Sequence, residues 1–255
     1  MSYPTWSDLN SPSIVPPLGS RQAPDIGPAA LMVSTEADLR LLSGSAGGMT
    51  TRPFYMGTVM TDTPEGSGIA IAGPYIGSPY AVMLMESLIA KGARRIIILG
   101  WCGAISPALA PGDLVVPSTT LVDEGTSRHY MVSDKEPAVC VPDHSLSETL
   151  TKRIEAAGET VHSLPVWTTD AIYRETREKV AWFRDKGAHA VEMECSALFA
   201  VAAYRRVRAA ALLVVSDSLA GDTGKWAPAF KNKRFKAMRK FACKTAMATT
   251  RTLAE

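Results

Sequence analysis

Three acids stand where the surrounding sequence is that of a buried core. Glu192 and Glu194 flank Met193 in Ala190-Val-Glu-Met-Glu-Cys-Ser-Ala197, between the apolar run at 189–191 and a helical pattern over 195–206. Glutamates in the first turn of a helix satisfy free amides and interact well with the helix dipole, so capping is one reading. The other is that a carboxylate at the end of a buried strand accepts two hydrogen bonds from a cis-diol, as a ribose 2'- and 3'-hydroxyl pair requires. Asp217 follows the apolar run 209–215 in Val215-Ser-Asp217. The C-terminal end of a strand is where open α/β sheets place their ligands; a lone acid there is also an ordinary N-cap or turn residue.

The elements that must position these acids alternate along the chain. Short apolar runs at 29–33, 55–61, 68–72, 95–99, 113–116, 160–164 and 209–216 are separated by helical patterns at 80–91, 145–157, 176–186 and 195–206. That alternation predicts an α/β fold with a largely buried sheet. Residues 1–28 hold six prolines interspersed with serine and show no apolar periodicity, which predicts an extended arm before one domain over 29–255. The segment 225–244 carries eight basic residues and no acid, with Phe235, Met238 and Ala242 at helical spacing. It reads as a terminal helix with a solvated basic face, and its aromatics fall on the side away from the charge, unlike a nucleic-acid surface.

Composition narrows the class. A chain of 255 residues, 46% hydrophobic and 20% charged, can bury a full core, and its net charge of +2 demands no polyanionic partner. The four cysteines are isolated, so neither a disulfide framework nor a zinc site is expected, which fits a reducing cytoplasm. No apolar run is long enough to span a bilayer. Nucleotide-cofactor, P-loop, nucleophile-elbow and zinc-protease motifs are all missing, so no cofactor is expected. The glycine-rich piece at 44–48 reads as a loop, and Cys102, between Trp101 and Gly103, as a small buried thiol rather than a nucleophile paired with His129.

Seven segments, in order, resemble the purine nucleoside and uridine phosphorylase family: Gly73-Pro-Tyr-Ile-Gly-Ser-Pro79, Gly100-Trp-Cys-Gly-Ala-Ile105, Gly112-Asp-Leu-Val-Val-Pro117, Asp123-Glu-Gly-Thr-Ser127, Thr169-Asp-Ala-Ile-Tyr173, Val191-Glu-Met-Glu194 and Val215-Ser-Asp217. The resemblance implies a single α/β domain around a mixed, partly barrel-like sheet, assembled as dimers or hexamers. It implies cleavage of an N-glycosidic bond with phosphate as acceptor, and no cofactor. By position, Glu194 would hold the ribose hydroxyls, Met193 would pack under the sugar and Glu192 would lie beside it. Asp217 would protonate or hydrogen-bond the departing base, with Trp101, Cys102, Gly103 and Ile172 among the substrate-facing residues. Asp217 stands where uridine-specific members have arginine, and Thr176 and Glu178 replace their Gln-x-Arg pair, which points to a purine.

The anion site departs from the pattern. The family's Gly-Asp-Pro-x-Arg after the first strand is here Ser34-Thr-Glu-Ala-Asp38, a second phosphate arginine is Ile98, and a hydroxyl ligand is Trp101. Arg52 alone matches a phosphate arginine, one supplied across a subunit interface in the family. A dianion held by one cation beside two acids is electrostatically poor, which weighs against ordinary phosphorolysis. Nucleosidases of the wider superfamily carry acids at this point, so Glu36 and Asp38 are candidates to activate water, or else first-turn residues of the helix around Leu39–Leu42. Trp101 either plugs the emptied pocket or stacks on the ligand. A protein that binds nucleosides without turnover is the remaining alternative.

Overall fold

Strand β1 (Ala29–Val33) is apolar throughout and buried along its whole length, because it runs between two parallel neighbours and has no solvent face. A computed structural model describes residues 9–21, 26–45, 48–61, 68–220 and 226–255. One neighbour of β1 is β4 (Ile69–Gly73), which continues antiparallel through β3 (Gly57–Thr61) to β2 (Thr50–Phe54). The other is β5 (Arg95–Ala104). Beyond β5 the sheet closes on itself. Strand β5 pairs with β10 (Arg208–Ser218), β10 with β6 (Leu114–Asp123), β6 with β8 (Val161–Thr169), β8 with β9 (Ala190–Glu192), and β9 returns to β5. The result is a mixed sheet with a five-stranded closed ring and an open wing, in one α/β domain. Two short strands, β7 (Val139–Cys140) and β11 (Ala227–Pro228), pair with β6 and β10.

Helices cover both faces. On one side lie α2 (Ser78–Ala90) and α5 (Cys195–Arg205), clamped by the Arg205 guanidinium on the buried Glu86 carboxylate at 2.8 Å. On the other lie α1 (Glu36–Ser45), α3 (His144–Ala156) and α6 (Lys233–Ala254). The last helix, α4 (Arg177–Asp185), stacks Phe183 flat on Trp167 of β8 at 4.3 Å. Local chemistry sets the helix starts: Asp143 accepts from the Leu146 amide, Thr176 from Lys179, and Asn232 from Arg234 and Phe235. No helix among the described residues is long and apolar enough to cross a membrane.

Several boundaries differ from those predicted. The run at 55–61 is the second half of a hairpin whose turn is Tyr55-Met56, with Tyr55 at φ 54°. Strands β5, β6 and β8 continue past the apolar runs that announced them, through polar and glycine residues that still find ladder partners. Gly44 lies in the last turn of α1, not in a loop, while residues 46–47 of that piece lie outside the described residues. Residues 9–21 form no strand or helix, and the Tyr204 hydroxyl donates to the Leu9 carbonyl at 2.8 Å; residues 1–8 and 22–25 of the expected arm, and Lys225, lie outside the description.

Helices α1 and α6 meet at a buried ion pair. Asp38 is 1% exposed and accepts from Arg239 Nε at 2.6 Å, from Trp101 Nε1 at 2.6 Å and from the Thr35 hydroxyl at 2.9 Å. The Arg239 guanidinium also lies 5.2 Å over the Trp101 ring, and Phe235 meets that ring edge-on at 5.1 Å. The basic helix is therefore not solvated on all its charges, since Arg239 turns inward. Removing one partner of such a pair leaves a desolvated charge, so Arg239→Met should lower folding stability by about 3–5 kcal/mol in urea denaturation. The double variant Asp38→Asn/Arg239→Met should recover much of that loss; equal losses in the single and double variants would show that burial of charge is not the cause.

Candidate active site

Strand β5 changes neighbours midway. Residues 95–99 pair with β1, Gly103 and Ala104 pair with β9, and over Gly100, Trp101 and Cys102 the ladder continues on the β10 side. Where β1 and β9 part, a cavity of about 770 Å³ opens. This lies within the roughly 300–1,000 Å³ usual for small-molecule sites, at the strand ends where parallel strands diverge. Trp101, Cys102 and Gly103 form one wall, Glu192, Met193 and Glu194 another, Asp217 a third, and Ile172 sits at the rim. All eight of these predicted residues therefore face one space.

The two glutamates divide the roles that sequence left open. Glu192 Oε2 accepts from the Glu194 amide at 2.7 Å and the Cys195 amide at 2.8 Å, and Oε1 from the Thr168 hydroxyl at 2.5 Å. It caps the start of α5 while touching the cavity. Glu194, two residues later, makes no cap bond with its side chain. Its Oε1 accepts from the Gly77 amide at 2.6 Å. Gly77 has φ 78°, a backbone conformation that glycine adopts without strain and that aims this amide at the acid. Burial, with the Glu192 charge next in size, pushes the Glu194 carboxyl up to about 8. A carboxyl raised in this way offers acceptor positions, and a donor whenever it carries a proton, which suits a pair of hydroxyls.

Asp217 reaches the cavity through a β-bulge. Val215 pairs with Cys102 and Asp217 with Gly103, so Ser216 is the extra residue that re-aims the strand end. Asp217 Oδ1 accepts from the Ser216 hydroxyl at 2.5 Å and Oδ2 from Trp226 Nε1 at 2.8 Å. A side-chain carbon at Gly103 would sit 3.1 Å from Oδ2, so the glycine makes room for the carboxylate. Burial, then the Asp217 charge, pushes the Cys102 thiol well above the ordinary range, in keeping with an inert thiol.

Three predicted residues lie elsewhere. Arg52 stands on β2 opposite Val59 and does not line the cavity. Glu36 is exposed and pairs with Arg40, and Asp38 is held by Arg239 and Trp101 behind the cavity wall. No lysine, arginine or histidine among the described residues lines the cavity, and no metal-binding group of acids, cysteines and histidines occurs among them.

The structure adds residues that sequence reasoning missed. Trp226 and Phe230 line the cavity and continue an aromatic wall from Trp101, with Phe230 6.0 Å from Trp101 and 6.2 Å from Trp226. Pro228 between them was the available signal, because proline excludes the helix interior assigned to that segment. Glu175 and Tyr173 enter from the turn after β8. Tyr75 lines the cavity beside Glu194, 3% exposed, and its hydroxyl has no hydrogen-bond partner among the described residues.

Comparison with known proteins places this arrangement. The family model described as Phosphorylase superfamily matches residues 28–254. A guanosine phosphorylase of Halorubrum lacusprofundi is 33% identical over 163 residues, 64% of this chain and 66% of that protein. The first two curated relatives are matched over 66% and 54% of their own lengths, so the chain spans less than two thirds of each. The crystal structure of purine nucleoside phosphorylase from Toxoplasma gondii in complex with immucillin-H superposes with a TM-score of 0.76 at 20% identity, covering 90% of this chain and 92% of that one. A 5'-methylthioadenosine/S-adenosyl homocysteine nucleosidase from Campylobacter jejuni gives 0.74 at 18% identity, covering 88% and 98%. At these identities the two structures share the fold.

Because the buried Tyr75 hydroxyl has no partner among the described residues, Tyr75→Phe should leave thermal stability unchanged or raise it slightly, by up to about 1–2 kcal/mol. If the hydroxyl is a ligand group, the same change should weaken nucleoside binding several-fold in calorimetry. Unchanged affinity would remove Tyr75 from the site.

Proposed function

The chain belongs to the phosphorylase superfamily, and from that premise we propose that it cleaves the N-glycosidic bond of a purine-type nucleoside. The observation that carries this reading is that Glu194 and Asp217, brought from β9–α5 and the end of β10, open onto one cavity. Glu194 engages the two ribose hydroxyls, with Met193 beneath the sugar. Asp217, set by the bulge and by Trp226, engages the imidazole edge of the base. As the bond to the base lengthens, positive charge grows on the sugar ring and negative charge on the base. Acidic groups around the sugar favour the first, and a proton supplied at the base edge relieves the second, with a contribution of roughly 100-fold or more.

A second reading concerns the nucleophile. Four carboxyl side chains and no cation among the described residues line the cavity, and a phosphate dianion there would be desolvated against its own sign of charge. Water carries no such penalty, so hydrolysis is the reaction this cavity favours. Arg52 lies outside the cavity of its own chain, so an anion role for it belongs with a homo-oligomer in which a second copy brings it to the site.

The test is release of free base from a panel of purine and pyrimidine nucleosides by phosphate-free protein, with and without added phosphate. Purine release that does not need phosphate is expected. Strictly phosphate-dependent release would make the protein a phosphorylase whose anion site is completed by Arg52. Ligand-induced thermal stabilisation with no release under either condition would mark a binding protein and end the catalytic reading. Asp217→Asn should lower kcat about 100-fold or more while changing KM only a few-fold, as expected of a group acting mainly in the transition state.

A further inference from the structure

Asp217 presents acceptors to the cavity. Both of its oxygens take hydrogen bonds, from the Ser216 hydroxyl and from Trp226 Nε1. A base leaving through this carboxylate still has to receive a proton, and a second carboxyl lines the same cavity. Glu175 closes the 3-10 turn Ile172–Arg174, where its amide donates to the Ile172 carbonyl at 3.3 Å, and it immediately precedes Thr176, the cap of α4. That rigid position turns its side chain into the cavity. The carboxyl is half-buried and makes no hydrogen bond or ion pair with any described residue.

Two charged groups face Glu175. From β10 comes Asp217, and from α4 comes Lys179, whose ammonium is already committed to Asp123 at 2.8 Å. Burial, then the Asp217 charge, raises the Glu175 carboxyl to about 7, with Lys179 opposing. A proton donor works best when it titrates near the working pH, and neighbouring carboxyls whose environments differ divide naturally into an acid and an acceptor.

On the footing that the chain cleaves purine nucleosides, we propose that Glu175 is the general acid that protonates the departing base, with Asp217 holding the base edge in place. The glycosidic bond breaks with its electron pair passing into the imidazole ring. The Glu175 proton moves to the ring nitrogen that accumulates that charge, and the base leaves neutral. Water adds to the sugar carbon and gives up one proton to solvent, while Glu175 regains its proton through the open mouth of the cavity. No co-reactant beyond water is consumed.

The experiment compares wild type, Glu175→Gln and Glu175→Asp as full-length protein. It measures kcat against pH for a purine nucleoside and for its N7-methylated analogue, whose base departs neutral without an added proton. A required acid must be protonated, so wild-type kcat on the ordinary nucleoside should fall as pH rises through about 7. Glu175→Gln should lower that kcat roughly 10- to 100-fold with KM within about threefold, abolish the fall near 7, and leave the methylated substrate within about threefold of wild type. Glu175→Asp should restore part of the rate. Equal losses on both substrates, or a fall near 7 that survives in Glu175→Gln, would overturn the assignment and leave Glu175 a structural residue of the turn. Failure of the wild type to release base from either substrate would instead sink the glycosidic reading itself.

Discussion

Everything at the site follows from how β5 is hydrogen-bonded. A strand in the middle of a sheet needs partners on both edges, and β5 obtains them from β10 along its whole length but from β1 and β9 in succession on the other edge. Closing the ring through β9 requires β1 to stop at Val33, and the chain turns away at Ser34 into α1. The space left beside Trp101 and Cys102 is bounded by strand ends on three sides. A cavity formed this way is rigid, because opening it further would break ladder bonds buried in the core. It also collects side chains from segments distant in sequence, which is why Tyr75, Glu175, Glu194 and Asp217 share it.

Charge is distributed against the usual expectation for a sugar- or phosphate-handling site. Arg239 lies behind the wall and is consumed by Asp38, with Trp101 bonded to the same carboxylate and its ring under the guanidinium. What faces the cavity among the described residues is then four carboxyl groups, two of them, Glu194 and Glu175, pushed up by burial and by the neighbouring charges of Glu192 and Asp217 respectively. Such a site stabilises positive charge that develops on a substrate more than it stabilises an incoming anion. The proposed preference for water over phosphate and the proposed proton donor both rest on that single imbalance.

Much of this was legible in the sequence because short-range pattern and long-range position coincide there. The acids at 192, 194 and 217 stand out because a strand end is the one place an apolar run can carry a carboxylate into a pocket, and the fold brings them together as the motif order implied. Residue type and spacing alone did not separate Glu192 from Glu194, which stand three residues and one residue before the helix start; the cap geometry, with Glu192 accepting two amides, does. Strand ends were misjudged at β5, β6 and β8 because ladder pairing carries strands through glycine and threonine, where apolar periodicity is silent. Glu175 had no signature, since its character comes from Asp217, 42 positions away in sequence and adjacent only in the fold. Asp38 read as a possible base because sequence cannot show that Arg239, on the last helix, claims it.

On the proposed reading, the Asp38, Arg239 and Trp101 cluster also keeps the anion end from being one substitution away from binding phosphate. Replacing Trp101 with a smaller residue would open space toward Arg239, but the guanidinium there is already neutralised by a carboxylate 2.6 Å away. An incoming dianion would meet no net positive charge and would have to compete with Asp38 for a fork of donors that can satisfy one carboxylate well. Removing Asp38 alone frees the arginine but leaves it buried under the indole, bearing a desolvation cost of its own. Trp101 and Asp38 must therefore change together before Arg239 can serve a ligand. The cluster acts as one unit, and the proposed exclusion of anions has the same origin as its stability.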